Sequence, residues 1–251
     1  MDVCKAMSTP MGSGSYVDQD EPGVSIDITK YRGMISSLLY LMASHPDIMF
    51  SVCLCARFQA NPKESHITAV KRIMKYLKGT TNVGLWYPKD SICNLVGYFN
   101  ADYAGSKTDQ KSTSGICHIL GNALVSWAWK KQVCVALSTT EAKYIAAGSF
   151  CAQILWLKQQ LRDYGLDLGC IPLRCGNTSA INITKNPVMH SRTKHIDIRH
   201  HFLRDHVLQG DVEVTFVHTH NQLADIFTKP LARESFYKIR RELGILDECD
   251  I

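Results

Sequence analysis

Along "ANPKESHITAVKRIMKYLKGT" apolar positions recur every three or four residues. Ile67, Val70, Ile73, Met74 and Leu77 form one helical stripe. Lys71, Lys75 and Lys78 share another face with Arg72 beside them, the most basic helix face of the chain. Asn61 is placed to cap this helix, Pro62 suits its first position and Gly79 its end. Upstream, "TKYRGMISSLLYLMASHPDIMFSVCLCARF" predicts two apolar helices broken near Pro46. From about residue 84 the texture shortens to β-rich runs, "GLWYP", "NLVGYFN", "GICHIL", "ALVSWAW" and "QVCVALS", with Gly, Ser, Asp and Lys between them. A long helix then runs from "STTEAKYIAAGSF" to about Tyr164, ended by Gly165. Strand "IPLRC", short helix "TSAINIT", helix "RTKHIDIRHHFLRDHVLQG" and strand "VEVTFVH" follow. One or two helices close the chain in "QLADIFTKPLARESFYKIRREL". Antiparallel strands followed by helix, strand, helix, strand, helix predict an α/β fold with a mixed sheet flanked by helices.

Composition adds bounds. The 251 residues can bury a real core, and 45% hydrophobic with 20% charged residues is ordinary for a globular protein. The net charge of +5 does not by itself argue for nucleic acid, so local clusters must carry that argument. None of the ten cysteines lies in a C-x-x-C pair, which excludes the usual zinc spacing. No signal peptide is read, and "MISSLLYLMA" is too short to span a bilayer. A cytoplasmic or nuclear protein with reduced thiols is expected, neither secreted nor membrane-bound. Residues 1–29, rich in Gly, Ser, Pro and acid, read as a disordered tail or linker.

Taken in order, "SWAWKKQVCVALSTTEAKY", "HSRTKHIDIRHHFLRD" and "QLADIFTKPL" resemble the ribonuclease H region at the end of a copia-type retrotransposon Pol polyprotein. "KYRGMISSLLYLMASHPDIMFSV" and "HITAVKRIMKYLKGT" resemble the segment that follows the reverse transcriptase palm. The resemblance covers about residues 30–243. It implies a helical segment at 30–82, a ribonuclease H-like domain at 83–243 and a tail at 244–251. The polymerase signature "YVDD" is not in this chain; "YVDQD" at residues 16–20 is an echo of it in the Gly/Ser-rich tail.

The resemblance implies cleavage of RNA in an RNA–DNA hybrid by two Mg²⁺ (or Mn²⁺) ions, with the rest of the Pol polyprotein as a partner. Such ions need carboxylate oxygens converging from several elements. By family position the acids fall at Asn100, Glu141, Gly176 and Asp225, so two of the four are absent here. Asp102, in "VGYFNADYAG", is the candidate substitute, but it stands about 6.6 Å further along the strand than Asn100. Glu141 also suits a capping box with Ser138, and Asp225 suits the first turn of a helix. His218, with His220, is a candidate for assisting proton transfer. His190, His195, His200, His201 and His206 lack the i, i+4 spacing of a helical zinc pair and read as surface residues.

Lys71, Arg72, Lys75 and Lys78 are candidates for tracking phosphates, as are Lys130 and Lys131 after Trp127 and Trp129. The expectation is a degenerate ribonuclease H with impaired catalysis and weakened metal binding that retains binding to an RNA–DNA hybrid or other nucleic acid. The alternatives are an active enzyme working through Asp102, Glu141 and Asp225, and a non-functional retroelement fragment.

Overall fold

The computed structural model describes residues 4–251 apart from 16, 90, 107 and 186–200. The chain divides into two compact units, Met1–Tyr87 with Lys229–Ile251, and Pro88–Thr228.

In the first unit, helix α1 (Ile28–Leu41) starts at Asp27, whose carboxylate accepts from the N–H groups of Thr29 (2.8 Å) and Lys30 (3.3 Å). It buries Tyr31, Ile35 and Leu38, one helical stripe. The Tyr31 hydroxyl donates to the Cys55 carbonyl on α2 (Met49–Ala56) at 2.8 Å. A 3₁₀ turn at Pro46–Ile48 separates the two helices, at the break expected near Pro46. Helix α3 is Glu64–Lys78, with Lys63 rather than Asn61 at its cap. Pro62 stays extended because its carbonyl accepts from Ile26 N–H (3.2 Å) while Ser25 bridges Lys63. Strand β1 (Val83–Leu85) pairs antiparallel with β7 (Ile245–Asp247), reached through helix α7 (Arg233–Glu242).

Three segments of this unit meet in its interior. The Tyr76 hydroxyl donates to Asp47, and Arg240 Nη1 lies 3.2 Å from the Tyr76 oxygen. Burial raises the Asp47 carboxyl above its ordinary range, and its Oδ1 has no hydrogen-bond partner. Residues expected to form a loose tail instead lie along α3: Thr9 and Met11 are buried, and Met7 N–H donates to the Lys75 carbonyl at 3.2 Å.

The second unit is a five-stranded sheet in the order β4-β3-β2-β5-β6. Strands β2 (Leu95–Asp102), β3 (Thr113–Leu120) and β4 (Ala123–Lys131) are antiparallel neighbours. Strands β5 (Ile171–Cys175) and β6 (Val212–Phe216) extend the sheet in parallel. Helix α4 (Thr139–Asp163) packs on one face, ending at Tyr164 with Gly165 at φ +83°, a left-handed position that suits glycine. Helices α5 (Thr178–Lys185) and α6 (His201–Leu208) complete the layer, and the part of the expected helix at 192–200 lies outside the described residues. This is an α/β arrangement, a mixed sheet flanked by helices. "QVCVALS" is not a strand: Gln132 N–H still pairs with Ser112 (2.9 Å), then the chain bends away toward the α4 cap and exposes Val133, Val135 and Leu137.

Glycine at 97 lets α4 approach β2, since a Cβ there would stand 2.1 Å from Phe150. Opposite Gly97 in register is His118, fully buried and stacked on Phe150 with ring centroids 4.7 Å apart. Neither of its ring nitrogens has a hydrogen-bond partner, and burial pushes its pKa from 6.5 down to about 4.

Two outcomes follow from these buried groups. Tyr76→Phe removes the donor to Asp47 and should cost about 1–3 kcal/mol, read as a lower urea midpoint. The unfolded chain protonates His118 near pH 6.5, the folded one only near 4. Stability is therefore full above the first value and falls as pH drops between the two. Urea unfolding should show a loss of about 2–3 kcal/mol from pH 7 to 4.5 that His118→Phe abolishes.

Candidate active site

The end of β2 sets the geometry. Asn100 is 8% exposed and faces away from α4, on the side covered by a 3₁₀ turn at Leu223–Phe227. That turn carries Asp225, 4% exposed. Asn100 Nδ2 donates to Asp225 Oδ1 at 2.5 Å. Gln222 opens the turn and holds it from both ends of its amide. Its Oε1 accepts from Ala224 N–H (3.2 Å), and its Nε2 donates to the Phe99 carbonyl (3.2 Å). Gly115, opposite Asn100 in register, makes this approach possible, since a Cβ there would stand 2.7–2.8 Å from Thr228 and Phe227. Gln222 and Gly115 were not singled out from the sequence. No local signal marks Gln222, whose partner Phe99 is 123 residues away.

Gly176 follows β5 next to this cluster. A Cβ on it would lie 3.5 Å from the Val217 carbonyl and 4.0 Å from Gln222 Nε2, ordinary contact distances that a side chain could occupy. The neighbouring Asn177 caps α5, its Oδ1 accepting from Ala180 N–H at 2.7 Å. The strand-end positions 100 and 176 and Asp225 are thus gathered around Gln222.

Glu141 sits in the first turn of α4. Ser138 Oγ accepts its N–H (3.1 Å), as a capping box requires. Its carboxylate reaches one residue beyond the cap, accepting from Leu137 N–H at 2.6 Å. Gln132 ties this end of α4 to β3 by donating to the Ala142 carbonyl (2.7 Å) and Ser114 Oγ (3.0 Å). Asp102 ends β2 opposite Thr113, and its carboxylate lies over Gly105, where a Cβ would stand 2.3 Å from Oδ2.

His218 lies exposed on the loop after β6, its ring 5.0 Å from Phe216 and 5.7 Å from His220. His206 Nδ1 is 2.8 Å from Asp211, which also holds Lys158 at 3.0 Å. His190, His195 and His200 fall outside the described residues, as does the side chain of His201.

Several candidate cations already have partners within the chain. Arg72 donates to the Thr9 carbonyl (3.3 Å) and hydroxyl (3.0 Å), and Lys78 to the Cys4 carbonyl (3.0 Å). Lys131 pairs with Asp109 at 2.6 Å and holds that carboxyl down at about 2. Lys71 and Lys130 are exposed, and Lys75 is half-buried.

These residues do not fit a pair of divalent cations. Mg²⁺ takes oxygen ligands, yet the side chain facing Asp225 from β2 presents an N–H donor, and position 176 presents no side chain. Among the described residues no group of three or more His, Cys, Asp or Glu stands close enough to hold a metal ion. Among them, too, no helix is long and apolar enough to cross a membrane.

No protein-family profile matches the chain. It is 39% identical over 246 residues to the retrovirus-related Pol polyprotein from transposon RE1 of Arabidopsis thaliana, covering 98% of this chain and 17% of that one. It is 39% identical over 217 residues to the corresponding polyprotein from transposon TNT 1-94 of Nicotiana tabacum, covering 86% and 16%. The chain thus spans about one sixth of the length of these relatives. A solved ribonuclease H1 isolated from compost is similar over 58% of this chain and 97% of its own, at 11% identity and a TM-score of 0.41.

If the centre does not hold the ions, millimolar Mg²⁺ should move the melting temperature of the native protein by less than about 1 °C in a thermal-shift assay. An occupied site would raise it by several degrees.

Proposed function

Because the chain belongs to the family of Pol polyproteins of copia-type retrotransposons, we propose that it is a ribonuclease H unit whose nuclease centre is silent. The observation that carries this reading is the hydrogen bond from Asn100 Nδ2 to Asp225 Oδ1, 2.5 Å long and buried.

Hydrolysis of an RNA phosphodiester in such a centre needs a bound cation to activate water and another to receive the leaving oxygen. When bound, the ions would draw their charge compensation from carboxylates. This chain offers Glu141 and Asp225 at family positions, with Glu141 already accepting the Leu137 N–H. Asn100 offers no negative charge and turns its donor toward the carboxylate that an ion would need. Asp102 has its carboxylate over Gly105.

Binding is a separate matter from cleavage. Lys71 and Lys130 are exposed and Lys75 half-buried, and these three suit phosphate contacts, whereas Arg72, Lys78 and Lys131 are drawn into contacts within the chain. The reading is therefore weak, salt-dependent binding of an RNA–DNA hybrid, in the company of other Pol segments, without turnover.

The decisive experiment compares this protein with the Asn100→Asp, Gly176→Asp double variant on a labelled RNA–DNA hybrid in Mg²⁺ or Mn²⁺. The native chain should cut at least about 100-fold more slowly than the variant. Cleavage by the native chain at the rate of the variant would overturn the reading.

A further inference from the structure

The contact between Asn100 and Asp225 also ties distant parts of the chain together. The two residues lie 125 residues apart in sequence and join two elements, the end of β2 and the 3₁₀ turn at Leu223–Phe227. The turn sits so close to the sheet that glycine is required at 115, opposite Asn100, where even a Cβ would collide with Phe227 and Thr228. Consecutive residues of β2 hold it there, Phe99 through its carbonyl to Gln222 and Asn100 through its amide to Asp225. Asn100 Oδ1 is buried with no partner, so it is the contact with Asp225 that orients this amide.

A carboxylate in place of this amide would face the Asp225 carboxylate at hydrogen-bond distance. In a buried setting that repulsion is severe, and a cation between the two groups is what would offset it. The amide removes the repulsion and adds a charge-assisted hydrogen bond. We propose that Asn100 takes over the structural role of a cation at this centre: a neutral clasp that holds the 223–228 turn on the sheet without metal. The proposal rests on the silent-site reading and adds to it that the amide at position 100 keeps the turn on the sheet without a divalent ion.

The test is thermal unfolding at pH 8, in EDTA and in millimolar Mn²⁺, of the native protein, the isosteric Asn100→Asp and the similarly sized Asn100→Leu. The native protein should melt at the same temperature in both buffers. Asn100→Asp should melt roughly 4–10 °C lower in EDTA and recover at least about half of that in Mn²⁺. Asn100→Leu should lose a similar amount in both. The clasp is disproved if Asn100→Asp melts within about 1 °C of native in EDTA, if Mn²⁺ restores none of its loss, or if Asn100→Leu melts like the native protein. Hybrid cleavage by the native chain would remove the silent-site reading, whereas these melting curves judge the clasp on a separate readout.

Discussion

Strand β2 is the element on which the second unit depends, because the sheet around it is approached on both faces closer than side chains normally allow. On one face Phe150 of α4 occupies the space a Cβ on Gly97 would need. On the other, the turn carrying Asp225 presses on Gly115 of the neighbouring strand. A strand clamped this way delivers its last residues to a fixed place. Whatever stands at position 100 is buried against Asp225, and its chemistry has to be compatible with a carboxylate.

Asparagine meets that condition without an ion. The polar groups nearby are each occupied within the fold: Gln222 bridges strand and turn, Asn177 caps α5, and Glu141 satisfies the start of α4. Each residue has a structural task that requires no metal. The same economy shows on the basic surfaces. Arg72 and Lys78 hold the N-terminal segment along α3, and Lys131 neutralises Asp109. Charge that reads as available in the sequence is partly committed within the fold, which weakens the case for a strong nucleic-acid grip while leaving the scaffold intact.

Elements whose ends are decided locally were legible. The long α4, with Ser138 before it and Gly165 after it, and the run of short strands follow from capping chemistry and periodicity. Expectations failed where a distant segment intervened. Pro62 looked like a helix start, but residues 24–26 hold it extended. "QVCVALS" alternates like a strand, but the sheet ends at β4 and the chain turns to reach the α4 cap. The residues before 16 have a linker's composition, yet Thr9 and Met11 find a surface on α3.

Sequence alone determined the class of fold and most of the order of its elements. These are properties of residue type, spacing and local capping. Only the tertiary structure decided that Lys229–Ile251 returns to the first unit, and that Asn100 donates to Asp225 across 125 residues. It also decided that Gln222 and Gly115 make that meeting possible. The physical reason is that a hydrogen bond acts over about 3 Å, so no spacing along the chain reveals which distant donor a buried carboxylate will face.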